Sequence, residues 1–148
     1  DMNILDAKRD HVEYISQHLV DYFTEANTVF GYPKFFTEYE LMHKNVLKRI
    51  NKPEKGFTYF IALDENDKPL GFVNILINEQ KIGSLLIVVG ENKDIKKKLV
   101  DHAIKFLKNN DVIGIQGEFL GHDKDTAEIY RELGVNVMWV HFSLDSYI

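Results

Sequence analysis

The sequence predicts a single α/β domain whose mixed sheet is flanked by helices. Three observations predict it. The first is the apolar run Ile82-Gly83-Ser84-Leu85-Leu86-Ile87-Val88-Val89, rich in β-branched residues, which reads as a strand buried on both faces. The second is the amphipathic stretch that follows Gly90-Glu91-Asn92 and runs to Asn109. The third is a further stretch that reads as a strand, Val112 to Phe119. A helical crossover between two strands implies that they lie parallel in one sheet. Short polar turns elsewhere imply antiparallel neighbours, so the sheet is mixed.

Composition narrows the function classes. A chain of 148 residues reads as one domain, 1–148, with room for a real core. A content of 45% hydrophobic and 28% charged residues argues against disorder. The absence of cysteine excludes a disulfide framework, a thiolate metal site and a cysteine nucleophile. No apolar run approaches the length of a membrane span and no signal peptide is visible. The expectation is a cytoplasmic protein, monomer or homodimer, without a membrane partner. A net charge of −5 weighs against nucleic acid and is compatible with a cationic substrate.

Taken in order, Asn3-Ile4-Leu5 is a short strand. Residues from about Arg9 to Ala26 form a helix, with Val12, Ile15, Leu19, Tyr22, Phe23 and Ala26 at three- and four-residue steps. Asn27 to Phe36 holds Gly31 and Pro33 and reads as a loop. Its aromatics, Phe30, Tyr32, Phe35 and Phe36, either tuck onto the core or wall a ligand. Thr37-Glu38-Tyr39-Glu40 has a capping-box pattern, with Thr37 as N-cap. The helix it opens carries Tyr39, Met42, Val46, Leu47 and Ile50 on one face and ends before Pro53.

Phe57 to Leu63 and Pro69 to Ile77 form a hairpin about the turn Asp64–Lys68. A second turn, Asn78–Lys81, leads into the strand at Ile82. Asn92 or Asp94 caps the next helix. Its buried stripe is Ile95, Leu99, Ala103, Phe106 and Leu107. After the strand at Val112–Phe119, a short helix runs through Leu133, capped by Asp123 or Asp125. Gly134 is placed to stop it in the left-handed conformation. Val135 to Ile148 reads as a last strand or strand pair.

The helix after Gly90 starts at the carboxyl end of a buried strand. Its free first-turn N–H groups make that end an anion site.

This element order, with Tyr130-Arg131-Glu132-Leu133-Gly134-Val135, resembles the GNAT superfamily of N-acetyltransferases. Tyr130, Leu133 and Gly134 match that family's spacing. Val135 replaces the usual aromatic, and Asp123 stands where an asparagine is common. The phosphate loop departs from the pattern. Glu91-Asn92-Lys93-Asp94-Ile95-Lys96 stands where the family has arginine or glutamine and two spaced glycines, and only Gly90 remains. Glycines let a backbone approach a phosphate closely. Glu91 and Asp94 bring negative charge there, and Lys93, Lys96, Lys97 and Lys98 are available to offset it.

The resemblance implies a GNAT-like fold with a centrally splayed sheet and an activity that moves an acetyl group from acetyl-CoA to an amine of a small molecule or protein. It implies that acetyl-CoA lies between the parallel strands. The pantetheine arm would run along Ile87, Val88 and Val89, and the pyrophosphate would meet the N–H groups of Asn92, Lys93, Asp94, Ile95 and Lys96. The matching tyrosine, Tyr130, becomes the candidate acid for the leaving thiolate. An attacking amine must be neutral, and a lysine-like amine has a pKa of about 10.4, so a base must take a proton. Glu118 and Glu79 flank the parallel strands and are the candidates. Two readings compete with the enzyme: a GNAT-like binding module that has lost acetyl-CoA along with the loop glycines, and use of another acyl-CoA donor.

His122, Asp123 and Asp125 lack a second histidine nearby, so helix capping explains the acids better than a metal does. No Ser-His-Asp arrangement or nucleotide P-loop is legible.

Overall fold

The computed structural model describes residues 1–26 and 34–135. The terminal strand or strand pair expected over Val135 to Ile148 lies, from residue 136 on, outside the described residues, as do Phe30 and Tyr32 and the side chain of Phe35.

The elements are β1 (Asn3–Asp6), α1 (Val12–Thr24), α2 (Lys34–Thr37), α3 (Tyr39–Asn51), β2 (Phe57–Leu63), β3 (Pro69–Ile77), β4 (Ile82–Gly90), α4 (Lys93–Asn109), β5 (Gly114–Gly117) and α5 (Lys124–Glu132). Among the described residues they build a five-stranded sheet in the order β1-β2-β3-β4-β5. The first three pairings are antiparallel and the last is parallel, as expected for a helical crossover through α4.

Alternation along β2 divides the core in two. Phe57, Tyr59, Ile61 and Leu63 pack with Val12, Ile15 and Leu19 of α1 and with Met42 and Val46 of α3. Phe60 and Ala62 face the other way, toward Ile95, Leu99, Ala103 and Leu107 of α4. Period two in the strand thus meets the 3.6-residue period of a helix on each face. Each fully buried side chain of this size contributes about 1.5–3 kcal/mol.

Several local expectations hold. Asn92 caps α4 by accepting the Ile95 N–H at 3.0 Å. Asp123 caps α5 by accepting the Thr126 N–H at 3.1 Å. Gly134 follows α5 with φ +75°, the left-handed stop that favours glycine.

Three expectations need correction. Thr37 is not an N-cap. It ends α2, and the extended Glu38 caps α3 without a side-chain bond, because two helical segments abut there. Residues 34–36 are correspondingly helical rather than loop. The first helix begins as a 3-10 turn at Arg9–His11 and becomes α-helical only at Val12.

The third correction shapes the site. The parallel runs Ile82–Val89 and Val112–Phe119 imply a longer parallel ladder than the one observed. The observed ladder covers only Ile82↔Gly114 to Leu85↔Gly117, and closes with the Glu118 N–H donating to the Leu85 carbonyl at 3.1 Å. Beyond Leu85, β4 continues to Gly90 and pairs there, among the described residues, only with β3. The cause is a bulge. Asn74 pairs with Ile87 and Ile75 with Leu85, which leaves Leu86 as an extra residue in β4. A bulge bends its strand and increases the local twist. The side-chain carbonyl of Asn74 stabilises the break by accepting the Ile87 N–H at 2.8 Å.

Candidate active site at the fork between β4 and β5

The bulge changes which residues face which side. Before it, Leu85 points to the α4 side; after it, Val88 does. Leu86, Ile87 and Val89 all face the α1/α3 side. Two consecutive residues, Leu86 and Ile87, therefore wall the same space. That space is a cavity of about 360 Å³. Leu19 and Phe23 of α1, Phe36 of α2, and Met42, Asn45 and Arg49 of α3 line one side. Tyr59, Asn74 and the segment Glu118-Phe119-Leu120 complete it. Its size lies within the range of small-molecule sites. Phe36 both packs on Phe23, with centroids 4.6 Å apart, and lines the cavity. For this residue the two readings of the aromatic segment coincide.

Tyr130 reaches the fork from α5. It is 5% exposed, and its hydroxyl is buried with no hydrogen-bond partner among the described residues. A Cβ added at Gly117 would lie 3.3 Å from that hydroxyl and 3.4 Å from Leu85 Cβ. The phenol therefore sits at the last rung of the parallel ladder, where the strands part. Burial raises its pKa, and the charges of Asp123 and Glu118 raise it further, so the phenol keeps its proton. A buried hydroxyl without a partner costs about 1–3 kcal/mol, which a ligand atom at this point would recover.

Glu118 follows Gly117 directly, is exposed, and lines the cavity. Its charge acts on Tyr130, which lies beside Gly117 and outside the cavity lining. Glu79 does not join them. It lies in the β3–β4 turn, exposed, at the opposite end of β4 from the fork.

At the start of α4 two of the expected N–H groups, those of Ile95 and Lys96, and the charged side chains are already partnered. The Ile95 N–H is held by the Asn92 side chain, and the Lys96 N–H donates to the Asn92 carbonyl at 3.2 Å. Asp94 pairs with Lys98 at 3.1 Å. Lys93 Nζ binds Glu128 at 2.8 Å and Glu132 at 3.1 Å, both on α5. Lys96 Nζ binds Asp123 Oδ1 at 3.0 Å. Asp123 also accepts from the Thr126 hydroxyl at 2.6 Å and from the Tyr22 hydroxyl at 3.0 Å. Tyr22 in turn accepts the Leu120 N–H at 3.0 Å, which ties α1 to the β5–α5 connection. Burial alone would raise the Asp123 carboxyl, but the bonds from Thr126 and Lys96 outweigh it and hold it below the usual carboxylate range.

No family model and no curated protein sequence matches the chain. Solved structures do match it in shape. A GCN5-related N-acetyltransferase from Ralstonia eutropha superposes with a TM-score of 0.72 at 12% identity, over 97% of this chain and 99% of that one. An aminoglycoside N-acetyltransferase in complex with CoA gives 0.67 at 13% identity, over 97% and 94%. A transcriptional regulator from Bacillus halodurans gives 0.72 at 18% identity, over 97% and 99%.

The chain has the GNAT fold.

At these identities the likeness carries the fold alone, and residue roles rest on the geometry above. Within the GNAT fold the two ends of the expected acetyl-CoA path differ. The fork fits a thioester. Among the described residues it has a buried phenol without a hydrogen-bond partner, a strand edge without a parallel neighbour beyond Leu85, and a cavity beyond it. The loop end fits a pyrophosphate poorly. A Cβ at Gly90 would lie 3.0 Å from Lys96 Cγ and 3.2 Å from Ile95 Cγ2, so α4 already crowds that glycine. Glu91 and Asp94 add negative charge, and Lys93 and Lys96 are paired with carboxylates. Of the strand residues expected along a pantetheine arm, Ile87 lines the cavity and Val88 is buried against α4. Val89 is half-buried on the cavity side.

Four positions around the candidate site, Asn74, Tyr22, Arg49 and Tyr59, were not singled out from sequence. Asn74 reads as one polar residue inside an apolar strand, a pattern that signals a bulge only in hindsight. Tyr22 and Asp123 are 101 residues apart, beyond any local pattern. Arg49 reads as a basic residue in the last turn of a helix, where it would favour the helix dipole. Tyr59 reads as strand core.

Proposed function

We propose that the chain is an N-acetyltransferase that transfers an acetyl group from acetyl-CoA to an amine of a small molecule or protein. The observation that carries this reading is the Tyr130 hydroxyl: buried, holding its proton, and without a hydrogen-bond partner among the described residues, at the point where β4 and β5 separate. Glu118 at the cavity rim takes a proton from the incoming ammonium, directly or through water, and releases a neutral amine. As the C–N bond forms and the C–S bond breaks, charge collects on the sulfur. Tyr130 donates its proton there, and the proton shed by the amine, returned through water, restores the phenol. The net exchange is amine plus thioester to amide plus thiol. When bound, acetyl-CoA supplies the activated acetyl group; Ile87 and Leu86 shape the wall beside it.

A second reading, a non-catalytic GNAT-like binding module, is favoured by one observation. The loop lacks paired glycines, and both of its nearest lysines are held by α5 or its cap. Calorimetric titration with acetyl-CoA at low salt separates the two. Saturable binding supports the transferase; no binding supports the module.

A further inference from the structure

The cavity is lined by two side chains of opposite charge that come from different elements. Glu118 enters from the end of β5, and Arg49 from the last turn of α3. The Arg49 guanidinium rests on the Phe57 ring, 4.3 Å from its centroid. Its Nε is buried without a hydrogen-bond partner, and Arg49 makes no ion pair among the described residues. Its charge nevertheless reaches the cavity wall. The Tyr59 phenol, pushed up to about 12 by burial, is pulled the other way by Arg49. A guanidinium held on an aromatic face offers a flat fork of donors that matches a carboxylate. Between the two charges the walls are apolar and aromatic, with Phe23, Phe36 and Phe119 among them.

We infer that the acceptor is an amino acid or similar small amine that carries a carboxylate and an apolar body, with its carboxylate bound by Arg49 and its amine directed at Glu118. This rests on the transferase reading for the fate of the amine, but not for the recognition of the carboxylate. Arg49 is then a specificity residue: it holds a part of the acceptor that does not react.

Phenylalanine and phenethylamine differ by that carboxylate and serve as the probe pair. Thiol release from acetyl-CoA is measured with each, for the parent, Arg49→Met, Arg49→Lys and Glu118→Gln. Binding of each compound without acetyl-CoA is measured by ligand-observed NMR, and circular dichroism checks that each variant is folded. The parent should prefer phenylalanine in kcat/KM by about ten- to a hundredfold, the range of a charge-assisted pair. Arg49→Met should erase that preference by raising KM for phenylalanine only, and Arg49→Lys should restore part of it. Glu118→Gln should slow both acceptors alike. If no amine is turned over but phenylalanine binds in an Arg49-dependent way, the transferase reading fails and the ligand class stands. Equal binding of the two compounds, or equal loss of both in Arg49→Met, overturns the inference.

Discussion

Lys96 Nζ lies 3.0 Å from Asp123 Oδ1, with the two side chains 14% and 1% exposed. The pair joins the first turn of α4 to the cap of α5, beside the fork. Removing one partner of a fully buried pair costs about 3–5 kcal/mol, because the other charge is stranded. Lys96 keeps some contact with water, so Asp123→Asn should cost less, about 2–3 kcal/mol at neutral pH.

The sign of the pH dependence follows from the depressed Asp123 carboxyl. Its stabilisation is complete above the unfolded value of about 3.9 and is lost as pH falls through the lower folded value. Denaturant midpoints of parent and Asp123→Asn should therefore differ at pH 7 and converge in acid. A gap of the same size at pH 7 and at pH 3 would show that the carboxylate charge is not what stabilises the fold.

The same pair bears on anion binding. Asp123→Asn frees Lys96, and Glu128→Gln with Glu132→Gln frees Lys93. Both changes should tighten acetyl-CoA binding, as should Glu91→Gln, by about two- to fivefold each at low salt. Lys93→Ala should weaken it, since it also leaves Glu128 and Glu132 uncompensated. Each effect should shrink with added salt, because exposed charges are screened beyond about 8 Å at physiological ionic strength. Calorimetry at two salt concentrations checks this, and unchanged affinities across the set would remove the loop from the cofactor path.

Much of the fold was legible because its signals are local. Apolar runs and polar turns marked β2, β3 and β4, and the caps at Asn92 and Asp123 sat next to the helices they start. Tyr130 and Glu118 came from the family resemblance and from strand position; Glu118 lines the cavity, whereas Tyr130 packs beside Gly117 at the end of the parallel ladder and is not part of the cavity lining. The bulge at Leu86 was not legible, since Leu85-Leu86-Ile87-Val88 is apolar at every position and carries no mark of register. Lys93 and Lys96 were read as charges open to a phosphate. Their partners lie 35, 39 and 27 residues away, so only tertiary structure reveals the pairing.

Gly117 tests the tightness of the fork. A methyl there would approach the Tyr130 hydroxyl and Leu85 Cβ at 3.3 and 3.4 Å, closer than packed side chains usually allow. Gly117→Ala should push the phenol by a few tenths of an ångström. Transfer should fall by about tenfold or more, with acetyl-CoA affinity little changed, because small displacements of a reacting group are costly. Full activity in a folded Gly117→Ala protein would place Tyr130 away from the reaction.

The central claim is that Tyr130 protonates the leaving sulfur, and Tyr130→Phe tests it most directly. Thiol release from acetyl-CoA is followed with a saturating amine acceptor, and acetyl-CoA affinity is measured on the same preparations. The kcat should fall by about 10²–10⁴-fold while acetyl-CoA affinity stays near that of the parent, because the lost bond belongs to the transition state. An unchanged kcat in Tyr130→Phe would contradict it.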